Sequence, residues 1–323
     1  MSSSAPVRTA CYDLHAAAGA TIVDFHGFEL PIRYTSITDE HLATRTAAGL
    51  FDVAHMGCIL LTGPGAIAAF DGMATQNVSL VEEGQCAYTH FCDDDGFIID
   101  DMIFAVTTCD EVARTGLVQP VDRGPCILGV PNASMVAPME QWFLACLEGR
   151  DDVRFHQLSH STAILALQGP AAMSILASAL GIMVNRFRGM SFSSEFIDVR
   201  GWVQGTGYTG EPGVEIMIQH DDAPKVWSRL IEVGTPLGLK PVGLGARDTL
   251  RLEKGYLLSG QDFIWPGLEG IEEGSVPRDV LALRSIQTNS PFGIALDVEF
   301  IGRQNNLEMA ADAGVPRLAG FEL

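Results

Sequence analysis

A chain of 323 residues is longer than one hydrophobic core usually serves, so two or three domains are expected. Its 47% hydrophobic and 19% charged residues place it among folded globular proteins and outside disordered compositions. A formal net charge of −20, with lysine confined to Lys225, Lys240 and Lys254, argues against nucleic acid as a partner, because phosphate binding needs a basic surface.

No apolar run reaches the roughly 18 residues that span a bilayer, and "MSSSAPVRTA" lacks the regions of a signal peptide, so a cytoplasmic protein with no membrane partner is expected. The seven cysteines are scattered, mostly in apolar stretches, and read as reduced thiols. Cys86, His90 and Cys92 in "CAYTHFC" come nearest to a metal cluster, but no second half-site of zinc-like spacing accompanies them, and no metal is expected.

In chain order, Thr38 to Gly49 has helix composition, with Asp39 and Glu40 at its start and Gly49 placed to stop it. "FDVAHMGCILLTG" reads as a strand entering a turn, and "GPGAIAAFDGMA" as a turn starting a short helix rather than a phosphate loop, since the Gly-Lys-Ser/Thr ending is missing. "CAYTHFCDDDGFIIDDMIFAV" predicts a hairpin turned by Asp and Gly. Helices are expected over Ala137 to Leu147, over "AAMSILASALG" up to Gly181, over "DAPKVWSRLIEVG", and over "GLGARDTLRLEKG" up to Gly255. Strands are expected at "STAILALQGP", around Phe192 to Val203 and at Val214 to Ile218. Gly260 to Asn289 reads as a long surface loop, followed by a helix in "FIGRQNNLEMAADAG" and a strand in "RLAGFEL". Hairpins outnumber regular βαβ units, so the predicted class is α+β with mostly antiparallel sheets.

Three places invite chemistry. Asp100 and Asp101 in "FIIDDMIF" point to opposite faces of a strand and cannot both face one pocket. Taken alone, such a pair reads more readily as solvent-facing than as catalytic. Glu215 shares a strand face with Met217, and a carboxylate there can accept paired N–H donors from arginine or from the amino-pyrimidine edge of a pterin. A surface glutamate on an edge strand is the other reading, and spacing leaves both open. Arg247, Arg251 and Lys254 form a helical stripe that would ordinarily be solvated, although an arginine so near a helix start calls for an acidic neighbour such as Glu215 or a ligand carboxylate.

The motifs "YDLHAAAGATIVDFHGFELPIRY", "RTAAGLFDVAHMG", "DDGFIIDDMIF", "ALQGP", "GYTGEPGVEI", "GLGARDTLRLEKG", "GQD" and "FIGR" stand in one order along nearly the whole chain. In that order they resemble the aminomethyltransferase, or T protein, family of the glycine cleavage system. The resemblance implies a multi-domain folate-binding fold, with a tetrahydrofolate site at the centre of a three-domain ring. It implies domains at 1–50 plus 150–260, at 51–149, and at 261–323. Asp101 matches the family's catalytic aspartate and Glu215 the glutamate that holds the pterin. Met56, Tyr88, Asn132 and Tyr208 match positions lining the folate pocket, and Arg247 matches an arginine at that site.

The implied reaction moves an aminomethyl unit from a lipoylated H-type carrier protein to tetrahydrofolate, releasing ammonia and forming 5,10-methylenetetrahydrofolate. Alternatives on the same scaffold are a folate-dependent demethylase of a small methylated compound and a non-catalytic folate-binding protein. The latter tends to carry Lys-Gly-Cys where this chain has Tyr256 in "EKGY". Departures from the pattern are "GFELP" for "GWEMP", a longer loop after "GQD", and Phe292 in "SPFGIALD" in place of a tryptophan segment. The family continues past "GFEL" into a β-barrel, so a truncated third domain is expected, with Phe321 to Leu323 as its first strand.

Overall fold

A computed structural model describes residues 5–119, 122–184, 190–268, 277–288 and 293–319. They form two compact units, Met1–Met56 with Asp110–Gln119 and Leu158–Tyr256, and Gly57–Cys109 with Pro120–Gln157 and Leu257–Leu323. The fold is α+β and mostly antiparallel.

In the first unit a six-stranded sheet runs in the order Met190–Phe196, Val199–Gln204, Gly213–Gln219, Thr162–Gln168, Ala48–Asp52 and Leu239–Pro241. Every pair is antiparallel except the last. Helices Ala172–Leu180 and Ala223–Gly234 bury Ile175, Leu176, Val226 and Leu230 against its Leu165, Leu167, Val214 and Ile216. Val214, Ile216 and Ile218 fall on one face because strand side chains alternate. Gly181 at φ 70 ends its helix in the left-handed cap that glycine adopts without steric cost.

The second unit holds a five-stranded antiparallel sheet, ordered Gln85–Cys92, Ile98–Thr108, Pro125–Val130, Ile59–Thr62 and Arg154–Gln157. Helices Ala66–Met73 and Val136–Cys146 pack on it through an aromatic cluster of Phe70, Phe91, Phe104 and Phe143. The predicted hairpin is present, with Gln85 opposite Val106 and His90 opposite Asp101.

Several expectations need correction. The helix at 38–49 is Ile37–Thr46, and Gly49 lies inside the strand Ala48–Asp52 rather than ending a helix. "FDVAHMGCILLTG" supplies two strands, one to each unit, where a single strand was expected. The segment after Gly260 is not wholly surface loop: Phe263 is fully buried with Ile98 and Leu257, and helix Arg278–Leu281 follows. Residues 269–276, Phe292 and the expected strand at Phe321–Leu323 lie outside the described residues.

A polar quartet sits inside the first unit. Asp52 Oδ2 accepts Thr9 Oγ1 at 2.7 Å and His15 Nε2 at 2.8 Å, while Tyr34 Oη stands 2.8 Å from His15 Nδ1. His15 also meets Trp227 edge-on at 4.8 Å. Burial opposes ionisation of Asp52, but the bonds from His15, Thr9 and the Ala54 N–H outweigh it and hold the carboxyl below its ordinary range. A carboxyl depressed in this way stabilises the fold above its unfolded pKa, and that contribution is lost as pH falls through the folded value. Asp52→Ala, which strands two buried partners, is expected to lower unfolding free energy by about 3–5 kcal/mol in denaturant titrations at neutral pH. The gap should narrow as pH drops below about 4, and a pH-independent gap would remove the ion from the account.

Candidate active site

Asp100 and Asp101 are both buried, at 0% and 8% exposure, which overturns their reading as a solvent-facing pair. The strand Ile98–Thr108 does point them to opposite faces, since Asp101 faces His90 and Asp100 faces Phe91 across the hairpin. Their neighbour strand Pro125–Val130 stops before reaching them, and Asn132 takes over. Its Nδ2 lies 2.8 Å from Asp100 Oδ1, 2.7 Å from Asp101 Oδ1 and 3.0 Å from the Asp101 carbonyl. Its backbone N–H donates to Asp100 Oδ2 at 3.1 Å. Two amide protons are thus shared among three oxygens, and opposite faces of one strand converge on a single side chain.

Two carboxylates so close in a desolvated place cannot both ionise easily. Burial, with the charge of Asp101 adding to it, pushes Asp100 well above the ordinary carboxyl range. Burial pushes Asp101 up as well, though less far, because the Tyr88 hydroxyl and the Asn132 amide bond its anion. Tyr88 Oη donates to Asp101 Oδ2 at 2.7 Å. Tyr88, Asn132 and Asp101, three of the sequence candidates, therefore form one cluster. His90, considered only as a metal ligand, belongs to it too: Nε2 is 3.0 Å from Tyr88 Oη and Nδ1 is 2.5 Å from Ser285 Oγ. The period-2 spacing of Tyr88 and His90 on the strand opposite Asp101 was the signal for this, once register is known.

The first unit gathers Tyr208, Glu215 and Arg247. Glu215 lies on an interior strand, between Val199–Gln204 and Thr162–Gln168, so the edge-strand alternative fails. Its Oε2 accepts from Thr206 Oγ1 and, at 3.2 Å, from Gln204 Nε2. Oε1 receives no hydrogen bond from a described residue, so one oxygen is held and the other is offered.

The "GYTGE" turn is shaped by Gln168, whose Nε2 donates to the carbonyls of Thr206 and Val214 at 3.2 Å while its Oε1 accepts Thr209 Oγ1 at 3.0 Å. A Cβ on Gly207 would stand 1.9 Å from Gln168 Oε1, and only glycine fits there. Arg45 fastens the turn from outside through the Thr209 carbonyl at 2.7 Å and Glu211 at 3.0 Å.

Tyr208 stacks on Tyr256 at 5.9 Å, and the Arg247 guanidinium lies over the Tyr208 ring at 4.4 Å. The Arg247 backbone N–H donates to the Gly243 carbonyl at 3.1 Å, while its guanidinium donates no hydrogen bond to a described residue. Burial lowers its pKa, offset by Tyr208 and Glu215. The solvated-stripe reading of this helix is wrong at Arg251, which is 2% exposed and bonded to Asp248 and to the Tyr256 carbonyl.

His55 carries no signal in the sequence, yet it is buried with neither ring nitrogen hydrogen-bonded among the described residues. Burial and the Arg247 charge push it down to about 3, so it is a neutral imidazole. Its neighbour Met56 is half-buried, its N–H bonded to the Val53 carbonyl, and no hydrogen bond joins it to either cluster.

Comparison with known proteins fits this arrangement. A family model described as the GCVT N-terminal domain matches residues 11–119 and 125–265. The chain belongs to this family. It is 36% identical over 318 residues to an aminomethyltransferase of Halothermothrix orenii, covering 98% of this chain and 80% of the relative. An aminomethyltransferase of Bacillus pumilus is 39% identical, with 98% and 79% covered. Among solved structures, the glycine cleavage system aminomethyltransferase T from Bartonella henselae aligns with a TM-score of 0.72 at 28% identity, covering 94% of this chain and 74% of that one.

The acid pair makes a definite pH prediction. Its folded-state pKa values lie above those of the unfolded chain, so its contribution to stability is present at low pH and is lost as pH rises through the folded titration. Carboxyl 13C shifts should show one aspartate of the pair still protonated where exposed aspartates, with pKa about 3.9, are fully ionised. Asp101→Asn should lower the titration midpoint of Asp100 by removing the like charge. A midpoint that stays in place would exclude repulsion between the two as a cause of the shift.

Proposed function

We propose that this chain is the tetrahydrofolate-dependent aminomethyltransferase of a glycine cleavage system, working in the cytoplasm with a lipoylated H-type carrier protein. The observation that carries the reading is Asp101, a buried carboxyl raised towards neutrality and aimed by Tyr88 and Asn132. In the reaction a thioether-linked aminomethyl group loses ammonia, its carbon bridges N5 and N10 of tetrahydrofolate, and the carrier sulfur is left as a thiol. The N–H protons of N5 and N10 balance the ammonia and the thiol. Tetrahydrofolate supplies the two nucleophilic nitrogens.

The residues of the chain supply the rest. Asp101, as an anion, stabilises cationic charge at the one-carbon unit and accepts a proton from a reacting nitrogen. Asp100 keeps the proton that the pair cannot release, which leaves Asp101 to ionise. The unspent Oε1 of Glu215 fits an amino-pyrimidine N–H, and Thr206 and Gln204 fix the plane of its carboxylate. The unspent guanidinium donors of Arg247, over Tyr208, suit a ligand carboxylate or carbonyl. On this reading the unit of Leu158–Tyr256 and its N-terminal partner segment binds the pterin, and Met56 lines the same site.

Purified protein, tetrahydrofolate and an aminomethyl-loaded lipoyl carrier should yield 5,10-methylenetetrahydrofolate above the uncatalysed rate. Asp101→Asn should lower kcat by about 10²–10⁴ while folate still binds. Glu215→Ala should weaken folate binding about tenfold, the scale of a lost charge-assisted hydrogen bond. Equal turnover in the first variant, or equal affinity in the second, removes that residue from its role.

A further inference from the structure

Behind Asp101 runs a line of three hydrogen bonds, of which the reaction as described uses only the last. Ser285 Oγ lies 2.5 Å from His90 Nδ1, His90 Nε2 lies 3.0 Å from Tyr88 Oη, and Tyr88 Oη donates to Asp101 Oδ2 at 2.7 Å. A hydroxyl carries one proton, and Tyr88 spends its proton on Asp101. At the His90 contact the phenol must therefore accept, which places a proton on Nε2. His90 is fully buried, and burial holds it at about 3, so the ring is neutral. Its Nδ1 is then bare and accepts from the Ser285 hydroxyl.

The surroundings leave the ring little freedom. The backbone of His90 is locked to Thr75 in both directions, its N–H to Thr75 Oγ1 and its carbonyl from the Thr75 N–H, each at 3.0 Å. Gly293 lies against both rings: a Cβ there would stand 2.8 Å from Tyr88 Cε1 and 3.3 Å from His90 Cε1. The titratable groups that face Asp101 are Asp100, Tyr88 and Asp262: the Asp262 charge opposes ionisation of Asp101, the Asp101 charge opposes that of Asp100, and the Tyr88 hydroxyl favours the Asp101 anion.

We propose that His90 is a positioning residue for the transfer reaction, fixed by Ser285 as the Nε2–H tautomer so that Tyr88 is a donor, and only a donor, towards Asp101. Without it the phenol can turn away or compete as an acceptor, and Asp101 loses one of the two side-chain bonds that support its anion. This rests on the reading of Asp101 as the catalytic carboxylate.

Two measurements separate this idea from that reading. In histidine-15N-labelled protein, with His90 assigned through His90→Gln, its ring should be neutral and protonated at Nε2 from about pH 6 to 8. An Nδ1–H ring or an imidazolium overturns the proposal whatever the enzyme does. In the transfer assay, His90→Leu should lower kcat about tenfold, the scale of one hydrogen bond lost from a buried network, with the KM for folate within about twofold. The acid limb of its pH profile should move to higher pH. His90→Gln, whose amide can donate from the position of Nε2, should recover most of the loss. Ser285→Ala should lose less, in the same direction, and decides the matter if His90→Leu fails to fold. An unmoved acid limb in folded variants, or no rescue by glutamine, overturns the proposal. A wild-type protein that makes no product sinks the functional reading instead and leaves the tautomer to be judged by resonance alone.

Discussion

Two adjacent carboxyls buried against one amide set the terms for the candidate site around them. A strand must send neighbouring side chains to opposite faces, yet Asp100 and Asp101 both bond Asn132 because the strand beside them stops at Val130. Where a further ladder residue would supply a fixed backbone N–H, a side-chain amide supplies donors that reach both faces and the Asp101 carbonyl. The early end of Pro125–Val130 is thus a precondition of the site. Burial raises both carboxyls and the charge of one opposes ionisation of the other, so the pair titrates as a unit.

The cluster around Glu215 uses the opposite device. Here the sheet continues on both sides of Glu215, and the carboxylate is oriented by neighbours on the adjoining strand and its following turn. Gln168 organises that turn from beneath and spends its amide on backbone carbonyls that a regular ladder would have satisfied. Glycine at 207 follows from the space Gln168 takes, and "GYTGE" is in this sense the imprint of a glutamine nearly forty residues earlier. Arg247 and Glu215 keep donors and an acceptor unspent. Unspent charged groups are expensive to bury, which is a reason to look for a ligand at them.

Much of this was legible in the chain. Helix ends marked by Gly181 and Gly255 are where they were expected, since left-handed caps leave a plain signal. The hairpin around "DDDG" and the alternation that buries Val214 and Ile216 were equally readable. What failed depended on partners distant in sequence. Gly49 reads as a helix stop by local rules, but the strand Ala48–Asp52 claims it through Thr162–Gln168 and Leu239–Pro241. Arg251 reads as solvated by helical spacing, yet it is buried and donates to the carbonyl of Tyr256, just past the end of the helix. The Asp pair reads as surface because nothing near it announces Asn132, some thirty residues on. His90 was weighed against Cys86 and Cys92, its neighbours in sequence, when its true partners are Tyr88 on its own strand face and Ser285 far along the chain.

The line from Ser285 to Asp101 also bears on why a neutral imidazole serves better here than a charged one. An imidazolium would present donors at both nitrogens and could still bond Tyr88, but under the proposed role of Asp101 it would place a second cation where positive charge develops at the one-carbon unit. A carboxylate stabilises that charge best when the only nearby protons are those on neutral groups. Burial keeps His90 neutral, Ser285 fixes which nitrogen is bare, and the phenol passes that asymmetry to Asp101 as a direction without passing on any charge. The same burial that makes the acid pair costly thereby keeps its hydrogen-bond support free of competing charge, so the cost and the chemical advantage have a single source.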